Sequence, residues 1–186
     1  MKNRKEKAKK AKKQNVIDMA FTFSAMSRVF KKGSNNKIRQ KFNNFLEQFF
    51  DLNTKREFNN KHSKVCKWIS TNIKTSKKSE YVSWGQAAKI TDIVLKVYFY
   101  YCRLPSPKVA SKIIPWLNAA IDTQLLNHLK NQYNSQVISQ VSSLKDINKK
   151  TYNELQNIIL SEIKKQYRDK IFPVQYDDIK WRELNR

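Results

Sequence analysis

The stretch from Trp84 to Leu129 concentrates the residues whose types and spacing suit covalent chemistry. It reads WGQAAKITDIVLKVYFYYC and then LPSPKVASKIIPWLNAAIDTQLLNHL, which sets Lys89 in the first turns of an apolar helical run. Asp122 stands at the start of the next helix, with a proline-bearing segment between. A lysine ammonium desolvated against apolar walls loses its proton near neutral pH and becomes a nucleophile able to form a Schiff base. A carboxylate at a helix start is kept ionised by backbone donors and the helix dipole, and can move a proton. The chain has no P-loop, dinucleotide-type glycine turn, nucleophile elbow or two-histidine zinc helix, which removes those enzyme classes. His62 and His128 lack a third ligand candidate nearby and read as ordinary polar or packing residues. Cys66 and Cys102 form no C-x-x-C pair, so neither a zinc site nor a disulfide framework is implied. No metal or cofactor is expected.

These two segments resemble the core of helix-hairpin-helix DNA glycosylase/lyases, most of all the archaeal 8-oxoguanine DNA glycosylase branch. In that branch a Gln-Lys-Thr-like start opens an apolar helix, and a proline-containing segment leads to an Asp that caps the next. The likeness spans about a quarter of the chain, residues 84–129. It implies Lys89 as the catalytic amine, attacking C1′ of a damaged nucleotide, and Asp122 as its carboxylate partner. A base can be processed only after it leaves the stack, and Trp84, Tyr98 and Trp116 are the aromatic residues available to line its pocket.

Charge points to the same partner from a different direction. The chain carries 38 Lys and Arg against 15 Asp and Glu, a formal charge of +23 over 186 residues. Such an excess self-repels in a compact state unless a polyanion neutralises it, which favours nucleic acid, DNA ahead of RNA. Residues 1–13 hold eight of the basic residues and one Glu, with Ala the only apolar type after Met1. They cannot offset the entropy of ordering by themselves, so residues 1–15 are expected to form a disordered basic arm. The remaining body, residues 16–186, keeps a large positive excess. Lys74, Lys77 and Lys78, then Lys145, Lys149 and Lys150, are clustered candidates for phosphate contact, joined by Gln86, Lys96 and Arg103.

The elements that would position these groups are helical. Ile38, Phe42, Phe45, Leu46, Phe49 and Phe50 follow the spacing of one apolar helix face, and Phe58, Val65, Trp68, Ile69 and Ile73 supply another. Capping-box sequences open at Thr54, Ser83 and Thr151, and Asp122 is a natural N-cap. The prolines at 105, 107 and 115 predict a loop with one short turn over Arg103 to Ala120. Ile179, Trp181 and Leu184 are expected to pack back as a short terminal helix. Two glycines and no alternating pattern make an all-α domain of about six to seven helices the economical reading. No apolar run is long enough to span a bilayer, so a cytoplasmic protein is expected, nucleoid-associated if the source is prokaryotic. Two other classes remain open: a non-catalytic DNA- or RNA-binding module, and a helical protein-interaction subunit docking through Phe42–Phe50 and Tyr98–Tyr101.

Overall fold

The computed structural model describes residues 2–77, 80–133 and 136–185, and among them every regular element is helical. Helix α4 (Trp84–Leu95) lies at the centre, packed against α1 (Lys2–Phe23), α3 (Lys55–Asn72) and α8 (Lys149–Tyr167). Its central position follows from its sequence. Ala87, Ala88, Ile90, Val94 and Leu95 are buried on more than one face, and the two alanines let neighbouring helices approach closely. The helix continues as a π-helical segment, Lys96–Tyr101, which buries Val97, Tyr98 and Phe99.

Around this axis, α2 (Ser34–Phe45) and the 3-10 turn Leu46–Phe49 bury Ile38, Phe42, Leu46 and Phe49, the expected stripe. The capping boxes at Thr54 and Ser83 are formed, with Glu57 Oε2 accepting from the Thr54 amide (3.0 Å) and Gln86 Oε1 from the Ser83 amide (3.0 Å). Asp122 caps α6 (Thr123–Gln132) by accepting from the Leu125 amide at 2.8 Å.

Several expectations need correction. The basic leader is the first half of α1 rather than a disordered arm over residues 1–15, of which Met1 lies outside the described residues. Lys13 donates to the Asn43 carbonyl (2.9 Å), Asn43 Nδ2 donates to Gln14 Oε1 (2.5 Å), and Val16, Ile17, Ala20 and Phe21 are buried, so one end of the helix is anchored. An anchored helix extends at little nucleation cost, so lysines and alanines, all good helix formers, continue it outward. Arg103 to Ala120 is not a loop. Pro107 occupies the first turn of α5 (Pro107–Ile113), where its missing amide proton costs nothing, and Pro115 lies in a 3-10 turn, Ile114–Trp116. The extra elements relative to the expected six to seven are this helix and one turn, α7 (Gln136–Ser139). Helix α8 starts at Lys149, capped by Asn148 rather than by a box at Thr151. In α9 (Pro173–Leu184), Val174 and Tyr176 enter the core while Trp181 stays 57% exposed.

Candidate functional site

The segment between α3 and α4 is tied across to the first 3-10 turn of the chain, Ala25–Arg28, and its flank. Ser76 donates to the Val29 carbonyl (2.8 Å), Lys31 to that of Lys74 (2.8 Å), and Val82 to that of Ile73 (2.9 Å). On the far side stands the 3-10 turn Leu144–Asp146, held to the start of α4 by Ser83 Oγ donating to the Leu144 carbonyl (2.9 Å). A groove of about 660 Å³ runs between them, lined by Arg28, Lys77, Tyr81, Gln86 and Lys145 among others. Two further cations flank it: Lys74 Nζ lies 5.3 Å from the centre of the 60% exposed Tyr81 ring, and Lys149 Nζ lies 5.4 Å from that of Trp84. Thus Lys74, Lys77, Gln86, Lys145 and Lys149, distant in sequence, come together. Lys150 is exposed one residue into α8, and Lys78 lies outside the described residues. Asp146, in the same groove, has its carboxylate turned onto Ser142 and Ser143, whose hydrogen bonds hold it below the usual carboxylate range.

Lys96 and Arg103 do not join that face. Lys96 is an interior cation, bonded to Asp177 (2.7 Å) and Asp178 (2.5 Å) of α9. Burial works to lower its pKa, but the two carboxylates outweigh it and raise it, so the charge is fixed and spent on structure. Burial pushes Asp177 up to about 6, with Lys96 pulling it down, so both partners are ionised at neutral pH. Arg103 is exposed, has a left-handed φ of 53°, and donates to Ser111 Oγ (2.8 Å).

Lys89 is half-buried, and loss of hydration lowers the pKa of its amine, while Asp122 and Asp177 act on it in the opposite sense. The two residues read as an amine and its carboxylate therefore share one electrostatic neighbourhood. The first turn of α4 is not arranged for phosphate. The Gly85 amide donates to the Ile147 carbonyl (2.9 Å), that of Gln86 to Ser83 Oγ (3.3 Å), and that of Ala87 to the Ser83 carbonyl (3.0 Å). Nor do the three aromatic residues share a pocket. Trp84 and Tyr98 are separated by fourteen positions of continuous helix, roughly 20 Å at 1.5 Å per residue, and Trp116 sits in the 3-10 turn after α5, beside Lys55.

Sequence reasoning missed a second desolvated amine and the buried cluster next to it. Lys55 Nζ donates to the Trp116 carbonyl, and burial lowers its pKa to about 8 despite the nearby Asp92. Asp92, 3% exposed in α4, accepts from Tyr152 OH (2.8 Å) and pairs with His62 Nε2 (2.8 Å), while Cys66 Sγ lies 3.8 Å from the imidazole. The His62 and Tyr152 rings stack at 5.7 Å. Burial works to lower the His62 pKa, but the Cys66 sulfur and the Asp92 carboxylate outweigh it and raise it to about 10. A second closed cluster surrounds Glu162, which pairs with His128 (3.2 Å) and Lys180 (3.6 Å). The available signal was Asp92 itself, an acid in the most apolar helix of the chain, where a charge persists only if paired. Both histidines are therefore satisfied interior residues, and among the described residues no group of three or more His, Cys, Asp or Glu side chains is placed to hold a metal ion.

The chain matches no protein-family profile, and comparisons with characterised proteins and with solved structures find no significant match. Among the described residues no helix is long and apolar enough to cross a membrane. The aromatic segments considered for protein docking are largely core, with Phe42, Phe49, Tyr98 and Phe99 each no more than 3% exposed.

Proposed function

We propose that the protein binds nucleic acid, DNA in preference to RNA, along the groove between residues 74–77 with 80–81 and the turn Leu144–Asp146. The observation that carries this reading is the division of charge. Glu57, Asp122 and Asp146 are used as helix caps, Asp92 and Glu162 are buried in pairs, and Asp177 and Asp178 hold Lys96. Lys74, Lys77, Lys145, Lys149 and Lys150 remain exposed. The groove and its rim hold Arg28, Lys74, Lys77, Lys145 and Lys149 against Glu80 and Asp146, a net positive charge for which a polyphosphate is the natural complement. The test is a duplex DNA titration over a range of salt. The logarithm of the binding constant should fall linearly with the logarithm of salt, by about 0.9 per phosphate contacted, and Lys77→Gln with Lys145→Gln should flatten the slope by roughly two contacts. A salt-independent response would overturn the reading.

The narrower version is a base-excision glycosylase/AP lyase acting on damaged bases such as 8-oxoguanine, supported by the lowered pKa of Lys89 beside Asp122. Its amine would add to C1′ of an opened abasic sugar and expel water, giving an imine that borohydride reduces to a stable secondary amine. Trapping on 8-oxoguanine and abasic duplexes should give a covalent adduct that Lys89→Gln abolishes and Lys55→Gln retains. DNA binding with no adduct on either substrate would leave the protein as a non-catalytic binding module.

A further inference from the structure

At the Tyr98 end of the central helix, the basic half of α1 passes over α2 and the π-helical segment, leaving a groove of about 750 Å³. One wall is the basic helix, with Lys9, Lys10 and Lys12 exposed. The other is α2, where Gln40, Asn43 and Asn44, three and four positions apart, present carboxamides from one helix face. The floor is apolar. Phe50, partly exposed, lies parallel over the buried Tyr98 (6.1 Å between centres, 8° between planes), and Leu104 and Pro105 close the end. The acids present are Glu6 and Glu47; Glu47 is taken by Lys13 at 2.6 Å, which leaves Lys9, Lys10 and Lys12 against Glu6, an excess of two positive charges. Asn43 Oδ1 is buried behind this wall without a hydrogen-bond partner, so the accessible carboxamides are those of the exposed Gln40 and Asn44.

We propose that this second groove binds single-stranded nucleic acid, taking one unstacked nucleotide with its flanking phosphates. The inference rests on the nucleic-acid reading above and assigns it a second site with a different preference. Three chemistries meet here: ammonium groups for phosphate, carboxamides for the polar edge of a base, and an aromatic pair that a base would extend by one layer. The size lies in the roughly 300–1,000 Å³ range of sites for small-molecule units. A duplex keeps its bases paired and stacked, so it can use the lysines but not the floor. A lipid surface is a poorer fit, because a membrane-binding helix needs large apolar residues facing the bilayer, and residues 2–13 offer only alanine. Two backbone features fall beside the floor: the π-helical turn that carries Tyr98, and Arg103 in the left-handed region. Such departures are enriched at functional sites.

The experiment uses the full chain and fluorescence anisotropy with a labelled oligonucleotide of about ten residues, alone and annealed to its complement. The triple variant Lys9→Gln, Lys12→Gln, Asn44→Ala changes exposed positions only. It should weaken single-strand binding about tenfold while duplex affinity shifts less than about threefold. Equal losses for both forms, or no loss, would overturn the inference. Duplex binding without single-strand binding would overturn it and leave the first groove standing, whereas failure of both ligands would remove the nucleic-acid reading altogether. A second measurement needs no variant: a strand carrying 5-iodouracil should photo-crosslink to a peptide containing Phe50 or Tyr98. Crosslinks confined to other segments, or displacement of the strand by anionic phospholipid vesicles, would count against the site.

Discussion

A lysine at a suggestive position can have three fates here, and surroundings decide among them. Lys96 faces two carboxylates and is locked as a structural cation, Lys77 faces solvent, and Lys89 and Lys55 are desolvated enough for their amines to be lowered. His62 makes the same point for stability. Its folded pKa near 10 exceeds the ordinary 6.5, so its stabilisation is complete below pH 6.5 and is lost as pH rises toward 10. Lys55 works in the opposite sense: its amine titrates near 8 folded against 10.5 unfolded, so it adds stability as pH rises from 8 to 10.5. Unfolding free energy should therefore fall between pH 6.5 and 8 and level off above that. Urea denaturation across this window checks it, and a rise from 6.5 to 8 would contradict the pairing. His62→Gln should cost about 3–5 kcal/mol at neutral pH by leaving Asp92 buried without its cation.

Helices were legible wherever one apolar face carried the pattern, and less so where anchoring or packing took over. Gly85 illustrates the second case. Its role is close approach: a Cβ there would stand 2.5 Å from the Leu144 carbonyl oxygen and 2.6 Å from Ile147 Cβ. Gly→Ala inside a helix ordinarily stabilises by up to about 1 kcal/mol. At this position overpacking should reverse the sign, with Gly85→Ala costing about 1–3 kcal/mol and lowering the melting temperature by several degrees. Calorimetry showing an unchanged or raised melting temperature would mean that the turn Leu144–Asp146 is not held against α4. Since that turn carries Lys145, the same substitution would also disturb the first groove. Helix α1 is the complementary case: its lysine-rich half lacks any apolar stripe, so only the contacts of Lys13, Gln14, Val16 and Ile17 reveal why it is helical.

For the whole molecule, the governing quantity is the charge that the fold does not neutralise internally. A body with this excess repels itself, and the repulsion between exposed cations is screened once the Debye length falls to about 10 Å near 0.1 M salt. The melting temperature should consequently rise on going from about 10 mM to about 150 mM monovalent salt, and rise further with a stoichiometric polyanion that binds the folded state. A melting temperature that falls over that range would imply that surface pairs, not repulsion, dominate. The two grooves flanking the central helix give this excess two different geometries, one beside an exposed Tyr81 and one over a floor of Phe50 and Tyr98.

Composition and periodicity alone determined that the protein is all-helical, strongly basic and built around the Trp84–Tyr101 run, because each depends on residue type and local spacing. They also placed the caps at Thr54, Ser83 and Asp122, where the bonding groups lie within four residues of one another. Only the tertiary structure decided which cations are spent and which are free, that Trp84, Tyr98 and Trp116 stand apart, and that His62, Asp92 and Tyr152 meet. Those outcomes depend on contacts between residues 30 to 90 positions apart, such as His62 with Asp92 and with Tyr152, and Lys96 with Asp177, and no local pattern encodes them.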